Sequence, residues 1–118
     1  MIPQRTLQLN LRAQPFEVML TGEKQVEYRL IKKWMNTRLF HKDGSPKQFD
    51  EVRFTLAYGA RQPYFNCKFR GLKKVRNVSK KYTNGLEVKF RGMRWAIQLG
   101  EITKTGNIKF VTLVHQMP

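Results

Sequence analysis

Cysteine is nearly absent from this chain. Cys67 is the only one, so no internal disulfide can staple the fold, and a reducing, cytoplasmic setting is expected. Long apolar runs are missing too. No stretch approaches the roughly 20 consecutive apolar residues of a membrane span, and Met1-Ile2-Pro3-Gln4-Arg5-Thr6 has no apolar core or small-residue cleavage site of a secretory leader. No membrane contact is expected. Histidine is scarce: His41 and His115 lie far apart, no Cys/His cluster has zinc-ligand spacing, and Gly85 to Gly92 lacks the spacing of a phosphate loop. Neither a metal nor a cofactor is expected. Acidic residues are few and scattered, which argues against a carboxylate cluster for metal-assisted nuclease chemistry. Repeats, low-complexity tracts and linkers are absent as well.

What the chain has in excess is positive charge. Its 118 residues suit one domain, 1–118, and carry 23 Lys and Arg against 8 Asp and Glu, a formal charge of +15. Self-repulsion on that scale costs stability unless a polyanion is the intended neighbour, so nucleic acid is the first candidate partner and an acidic protein the second. The charge is concentrated. Lys68, Arg70, Lys73, Lys74, Arg76, Lys80, Lys81, Lys89, Arg91 and Arg94 face a single acid, Glu87, in that interval. Alternation in Lys68-Phe69-Arg70 and Lys89-Phe90-Arg91 predicts two strands with cations outward, and Lys73, Lys74, Arg76, Lys80 and Lys81 are expected on the connection between them. Edge lysines that only discourage aggregation are the alternative reading. Tyr58, Tyr64 and Tyr82, in or beside turns, are candidates for stacking on bases, with Arg61 and Arg94 as further nucleic-acid contacts.

The element pattern is β-rich. Leu7 to Leu11 alternates as a first strand; a short helix follows with Pro15 at its first position and Phe16, Met19 and Leu20 on one side, ending at Gly22. Leu30, Ile31, Trp34, Met35, Arg38 and Leu39 have the spacing of an amphipathic helix, stopped by Asp43-Gly44-Ser45-Pro46. Val52 to Leu56 and Tyr64 to Arg70 read as strands. Asn84-Gly85 and Thr105-Gly106-Asn107 read as hairpin turns, the second leading into a strand over Ile108 to Leu113. Trp34 and Trp95 both fall in apolar-periodic segments and are expected in the core. Such spacing favours an α+β domain or small barrel over βαβ units.

One segment breaks the cationic monotony. In Gly22-Glu23-Lys24-Gln25-Val26-Glu27-Tyr28-Arg29, Gly22 suits a positive-φ turn, after which alternation places Gln25, Glu27 and Arg29 on one face. Val26, Tyr28 and Leu30 take the other face and are expected to enter the core. Lys24, Glu27 and Arg29 then either line a nucleotide-sized cleft, where Glu27 accepts from base amino groups and Arg29 donates a fork of hydrogen bonds, or form a structural ion pair.

The pattern Gly22-x-Lys24-x-x-Glu27-x-Arg29 resembles the signature of the ASCH family, a branch of the PUA-like β-barrels associated with RNA. Gln14-Pro15-Phe16, Phe49 to Phe54 with Tyr58-Gly59, and Trp95 to Ile102 are similar to that family's elements in order. The resemblance implies an α+β fold with a PUA-like small β-barrel of about five to six strands and two or three short helices, and RNA, favoured over DNA, as ligand. ASCH-like proteins also include amidohydrolases acting on acetylated cytidine, and some are described as ribonucleases. In the amidohydrolase pattern a Thr follows the Lys by three residues; here that position is Glu27, so the hydroxyl nucleophile is missing. Lys24 and Glu27 would be catalytic only under a hydrolase reading, which remains the alternative.

Overall fold

The structure is a computed structural model that describes residues 5–57 and 61–108. Alternation in the first segment becomes strand β1, Thr6–Leu11, with Leu7, Leu9 and Leu11 buried. Helix α1 follows at Ala13–Leu20. Pro15 is its third residue, not its first, and is tolerated there because the opening N–H groups of a helix have no intrahelical acceptor. Strand β2 is Val26–Leu30 and helix α2 is Lys33–Leu39. Leu30 belongs to the strand, where it pairs with Arg94, so the helix begins three residues later than its apolar spacing suggests. Strand β3, Glu51–Leu56, precedes two long strands, β4 at Tyr64–Lys81 and β5 at Glu87–Gly106.

The five strands form one mixed sheet in the order β1-β3-β4-β5-β2. β1 runs parallel to β3 and every other pairing is antiparallel. The fold is α+β, but the expected closed barrel is not formed: β1 and β2 are the outer members of the sheet and do not pair. Phe16 and Met19 from α1, with Met35 and Leu39 from α2, share one apolar cluster with Leu7, Leu9, Val52, Phe54, Phe65 and Ile97. Phe16 meets Phe65 edge-on at 5.1 Å, and Phe54 meets Phe65 at 5.4 Å. Both helices therefore cover the same face of the sheet. Among the described residues no helix is long and apolar enough to cross a membrane.

The largest departure from the sequence reading is the length of β4. Lys73 to Lys81 is strand and not a connection, so the cations lie on a single continuous ribbon. The pairing slips between Asn66 and Gly71 and again between Arg76 and Val78. Each slip inserts an unpaired residue that resets the two-residue alternation and deepens the twist. At the second, Asn77 adopts φ 54° and its side-chain oxygen accepts from the Gly92 N–H at 2.7 Å. The ribbon consequently curls. Its turn forms at Tyr82 to Leu86, as Asn84-Gly85 predicts, with the Tyr82 N–H donating to the Leu86 carbonyl at 2.8 Å. β5 continues to Gly106, where a Cβ would strike the Tyr64 ring, so any larger residue needs that ring to move. The returning strand expected over Ile108 to Leu113 lies, beyond Ile108, outside the described residues.

Candidate nucleic-acid interface

Strand β2 presents its polar face inward. Glu27 pairs with Ile97 and Arg29 with Trp95, both core residues, and cross-strand partners share a face. The expectation that Val26, Tyr28 and Leu30 enter the core is corrected: Leu30 is 46% exposed while Glu27 is 8% and Lys24 3%. The inversion is possible because the charges satisfy one another. The Lys24 Nζ donates to Glu27 Oε1 at 3.0 Å and to the Val26 carbonyl; Arg29 Nε donates to Glu27 Oε2 at 2.9 Å. Arg29 Nη2 then donates to the Asn10 carbonyl of β1 at 2.8 Å. A side chain thus spans the two outer strands where a barrel would have used backbone hydrogen bonds.

Among the described residues, Lys24 also lines a hollow of about 200 Å³ with Gly22, Gln25, Phe65, Cys67 and Leu99, but Glu27 and Arg29 do not. Of the three, Arg29 has the most accessible side chain, at 21%, against 11% for Glu27 and 1% for Lys24. A carboxylate whose two oxygens are both held by cations is a fixed acceptor, already engaged. Arg29 is the member with room to reach outward.

The apolar side of β2 is covered by the ribbon instead. Tyr28 meets Phe90 edge-on at 5.3 Å, and Arg94 lies 4.4 Å from the Phe90 ring. The ribbon's tip is latched: Asn84 Nδ2 donates to the Gln14 carbonyl at 2.8 Å, and the Thr83 N–H donates to Glu23 at 2.9 Å. The Thr83 hydroxyl also donates to Glu23, and these bonds, helped by the nearby Lys80 charge, lower the Glu23 carboxyl below its ordinary range. Tyr82 is buried at 4% under this cover and burial raises its phenol, as it does that of Tyr28.

The ribbon's cations are open to solvent on both of its faces, since Lys73–Lys74 and Lys80–Lys81 are neighbours in a strand. Lys68, Arg70, Lys73, Lys74, Arg76, Lys80, Lys81, Lys89 and Arg91 are exposed and Arg94 is half-buried. Among the described residues, Lys68, bonded to Glu101, is the only one of these in an ion pair. Lys74 reaches over the Trp95 ring at 5.2 Å, and Lys80 over Tyr82 at 5.0 Å. Arg61, exposed with φ 62°, sits at the mouth of the loop before β4, apart from the ribbon's turn; Tyr58 lies outside the described residues, as does His115.

The aromatic candidates separate. Tyr82 is buried and so withdrawn from base stacking, and Tyr64 is half-buried with the Arg53 guanidinium 4.2 Å from its ring. Trp34, expected in the core, is 54% exposed. Its seven-residue helix turns Met35 and Leu39, four apart, inward, which places Trp34 outside beside Arg38. The Met35–Leu39 spacing carried that signal. Trp95 is a core residue as expected, its indole N–H donating to Asn36 at 2.8 Å.

Sequence reasoning also missed a polar chain on the sheet's outer face. Arg53 donates to Asn66 at 2.8 Å, Asn66 donates to the buried Glu51, and the Thr103 hydroxyl donates to that same carboxylate. No spacing rule joins residues on three strands, and only the register does so. Cys67 lies under this network on the core side, its thiol pushed up to about 12 by burial and by the Glu51 charge. Comparison with protein-family models, with characterised proteins and with solved structures gives no match.

Proposed function

We propose that this chain binds RNA through the exposed cations of the β4–β5 ribbon, with phosphates providing most of the affinity. The observation that carries the reading is the row of exposed ribbon cations of which only Lys68 is ion-paired among the described residues. Unpaired cations on a curved, latched scaffold cost self-repulsion in the free protein and gain by displacing counterions from a phosphate backbone. Because the ribbon's curvature is fixed by its bulges and its tip is held at Glu23 and Gln14, the charges are already spaced when ligand arrives.

The likeness to ASCH proteins favours RNA over DNA and a PUA-like relationship for the sheet, here read as a barrel left open between β1 and β2. In that reading the nucleotide recess lies at the opening. Arg29 reaches the ligand, while Glu27, itself braced by Lys24, and the Asn10 carbonyl hold its guanidinium in place. An uncharged hydrogen-bonding replacement at Arg29 is then expected to change base preference more than overall affinity.

The test is titration of a short single-stranded RNA over a range of salt concentrations. Replacing Lys73, Lys74, Lys80 and Lys81 with Ala is expected to weaken all RNA sequences alike and to flatten the plot of log affinity against log salt by about 0.7 for each phosphate no longer neutralised. Affinity indifferent to ionic strength discards the phosphate-led mechanism. Association with a protein that survives nuclease treatment, with no RNA affinity, would point instead to an acidic protein partner.

A further inference from the structure

Between α2 and the turn that follows it lies an open basin of about 830 Å³ that the ribbon's surface does not include. Lys33, Lys42 and Lys47 rim it beside His41, and Asn36 and Phe40 contribute to its lining. Its walls are preformed. The turn is closed by Phe40 bridging to Pro46, by the His41 N–H donating to the Ser45 carbonyl at 2.8 Å, and by the Gly44 N–H donating to the His41 carbonyl at 2.9 Å. Asp43, the acid of that turn, is engaged with the Ser45 N–H at 2.9 Å and with its hydroxyl, and does not line the basin. Lys47 is braced by donating to the Thr37 carbonyl at 3.0 Å.

The lining of the basin packs against the ribbon through Trp95. Phe40 meets the Trp95 ring at 5.3 Å, the Trp95 N–H bonds Asn36, and Lys74 reaches over the same ring system at 5.2 Å. A strand of RNA following the cations of β4 past Lys74 would meet this hollow next. Its lining is mixed in a way a plain phosphate does not need: an aromatic ring below, an amide beside it, and lysines around the edge. That combination suits a base with its attached phosphate, and the volume lies in the range of about 300–1,000 Å³ typical of small-molecule sites.

We propose that this basin holds one nucleotide of a bound single-stranded RNA, the base against Phe40 and Asn36 and the phosphate at Lys33 and Lys42. The inference rests on the RNA-binding reading of the ribbon, yet it can fail separately. The experiment follows backbone amide signals of the whole chain on adding cytidine monophosphate, inorganic phosphate, or a five-nucleotide oligouridylate, for the native protein, for K33A/K42A and for the ribbon variant lacking Lys73, Lys74, Lys80 and Lys81.

Saturable shifts at Asn36, Phe40, His41 and Gly44 with the mononucleotide, larger than with phosphate and retained in the ribbon variant, are expected. K33A/K42A, at exposed positions and expected to keep the native circular dichroism spectrum, should abolish them. The same change should reduce the salt slope for the oligonucleotide by about 0.7, the one phosphate that Lys33 and Lys42 no longer neutralise. Equal shifts with phosphate and mononucleotide overturn base recognition here. Oligonucleotide binding with no response in the basin overturns the inference and leaves the ribbon reading standing, whereas no oligonucleotide binding at all overturns both.

Discussion

Glu27 is the residue on which the inward face of β2 depends. It accepts from Lys24 and Arg29 in surroundings that are 11% and less accessible at the carboxylate and the ammonium, so removing its charge leaves a buried cation without a counter-ion. Glu27→Gln is expected to cost about 3 kcal/mol in urea unfolding, the low end for breaking a buried pair by deleting one partner. Lys24→Met added to that variant should cost little more, because the stranded ammonium is then gone. Equal and additive losses would mean that the two side chains are not coupled. A second residue-scale expectation concerns Cys67, whose thiol is pushed up to about 12. At pH 8 a thiol reagent should label it only as fast as the protein opens. Since the folded state holds this proton more tightly than the unfolded one, the thiol's contribution is intact below about 9 and is lost as pH rises from there towards 12.

At the scale of elements, the latch at the ribbon's tip is the most exposed structural joint. Glu23 is fully accessible and its carboxyl is lowered, chiefly by the Thr83 hydroxyl and N–H. A depressed carboxyl contributes above its unfolded value of 4.5 and that contribution is lost as pH falls through the lower folded value. The protection of the Thr83 amide, its exchange rate divided into the intrinsic rate at the same pH, should therefore fall in acid while core amides of β3 stay protected, and Glu23→Gln should leave that protection low and nearly independent of pH across that window. Unchanged protection in the variant would show that Asn84 and Gln14 hold the tip unaided. This joint also marks where the sequence stops being readable. Asn84-Gly85 announces its turn locally, through a backbone preference, and Leu7, Leu9 and Leu11 announce their buried face by alternation. Lys73 to Lys81 does not look like a strand because a slip in register between Arg76 and Val78 breaks its alternation, and its partner to the tip, Glu23, is 60 residues away. For β2 the rule that apolar faces turn inward fails for a specific reason: an ion-paired, hydrogen-bonded Glu27 is stable inside, and the ribbon covers Tyr28 from the other side. The candidate residues of that motif were legible, their direction was not.

Charge is the property that belongs to the whole molecule, and it makes two equilibria respond to salt in opposite directions. The free protein carries +15, with its ribbon cations largely without acidic partners among the described residues, so added salt should relieve repulsion and raise the unfolding midpoint. The screening length shortens from about 30 Å at 0.01 M to about 8 Å at 0.15 M, which is shorter than the ribbon, so most of that relief is expected by physiological ionic strength. The buried Lys24–Glu27–Arg29 group is shielded from salt by its burial and should not weaken in return. If the ribbon binds RNA as proposed, that affinity is expected to fall over the same range, because each neutralised phosphate returns a counterion to a more concentrated solution. Thermal scans with and without a short RNA, at low and at physiological salt, separate the two effects in one set of samples. The RNA-free midpoint should rise with salt, the increment due to RNA should shrink, and the two curves should converge. An RNA-free midpoint that falls with salt would mean that surface ion pairs, not repulsion, dominate the electrostatics of the fold.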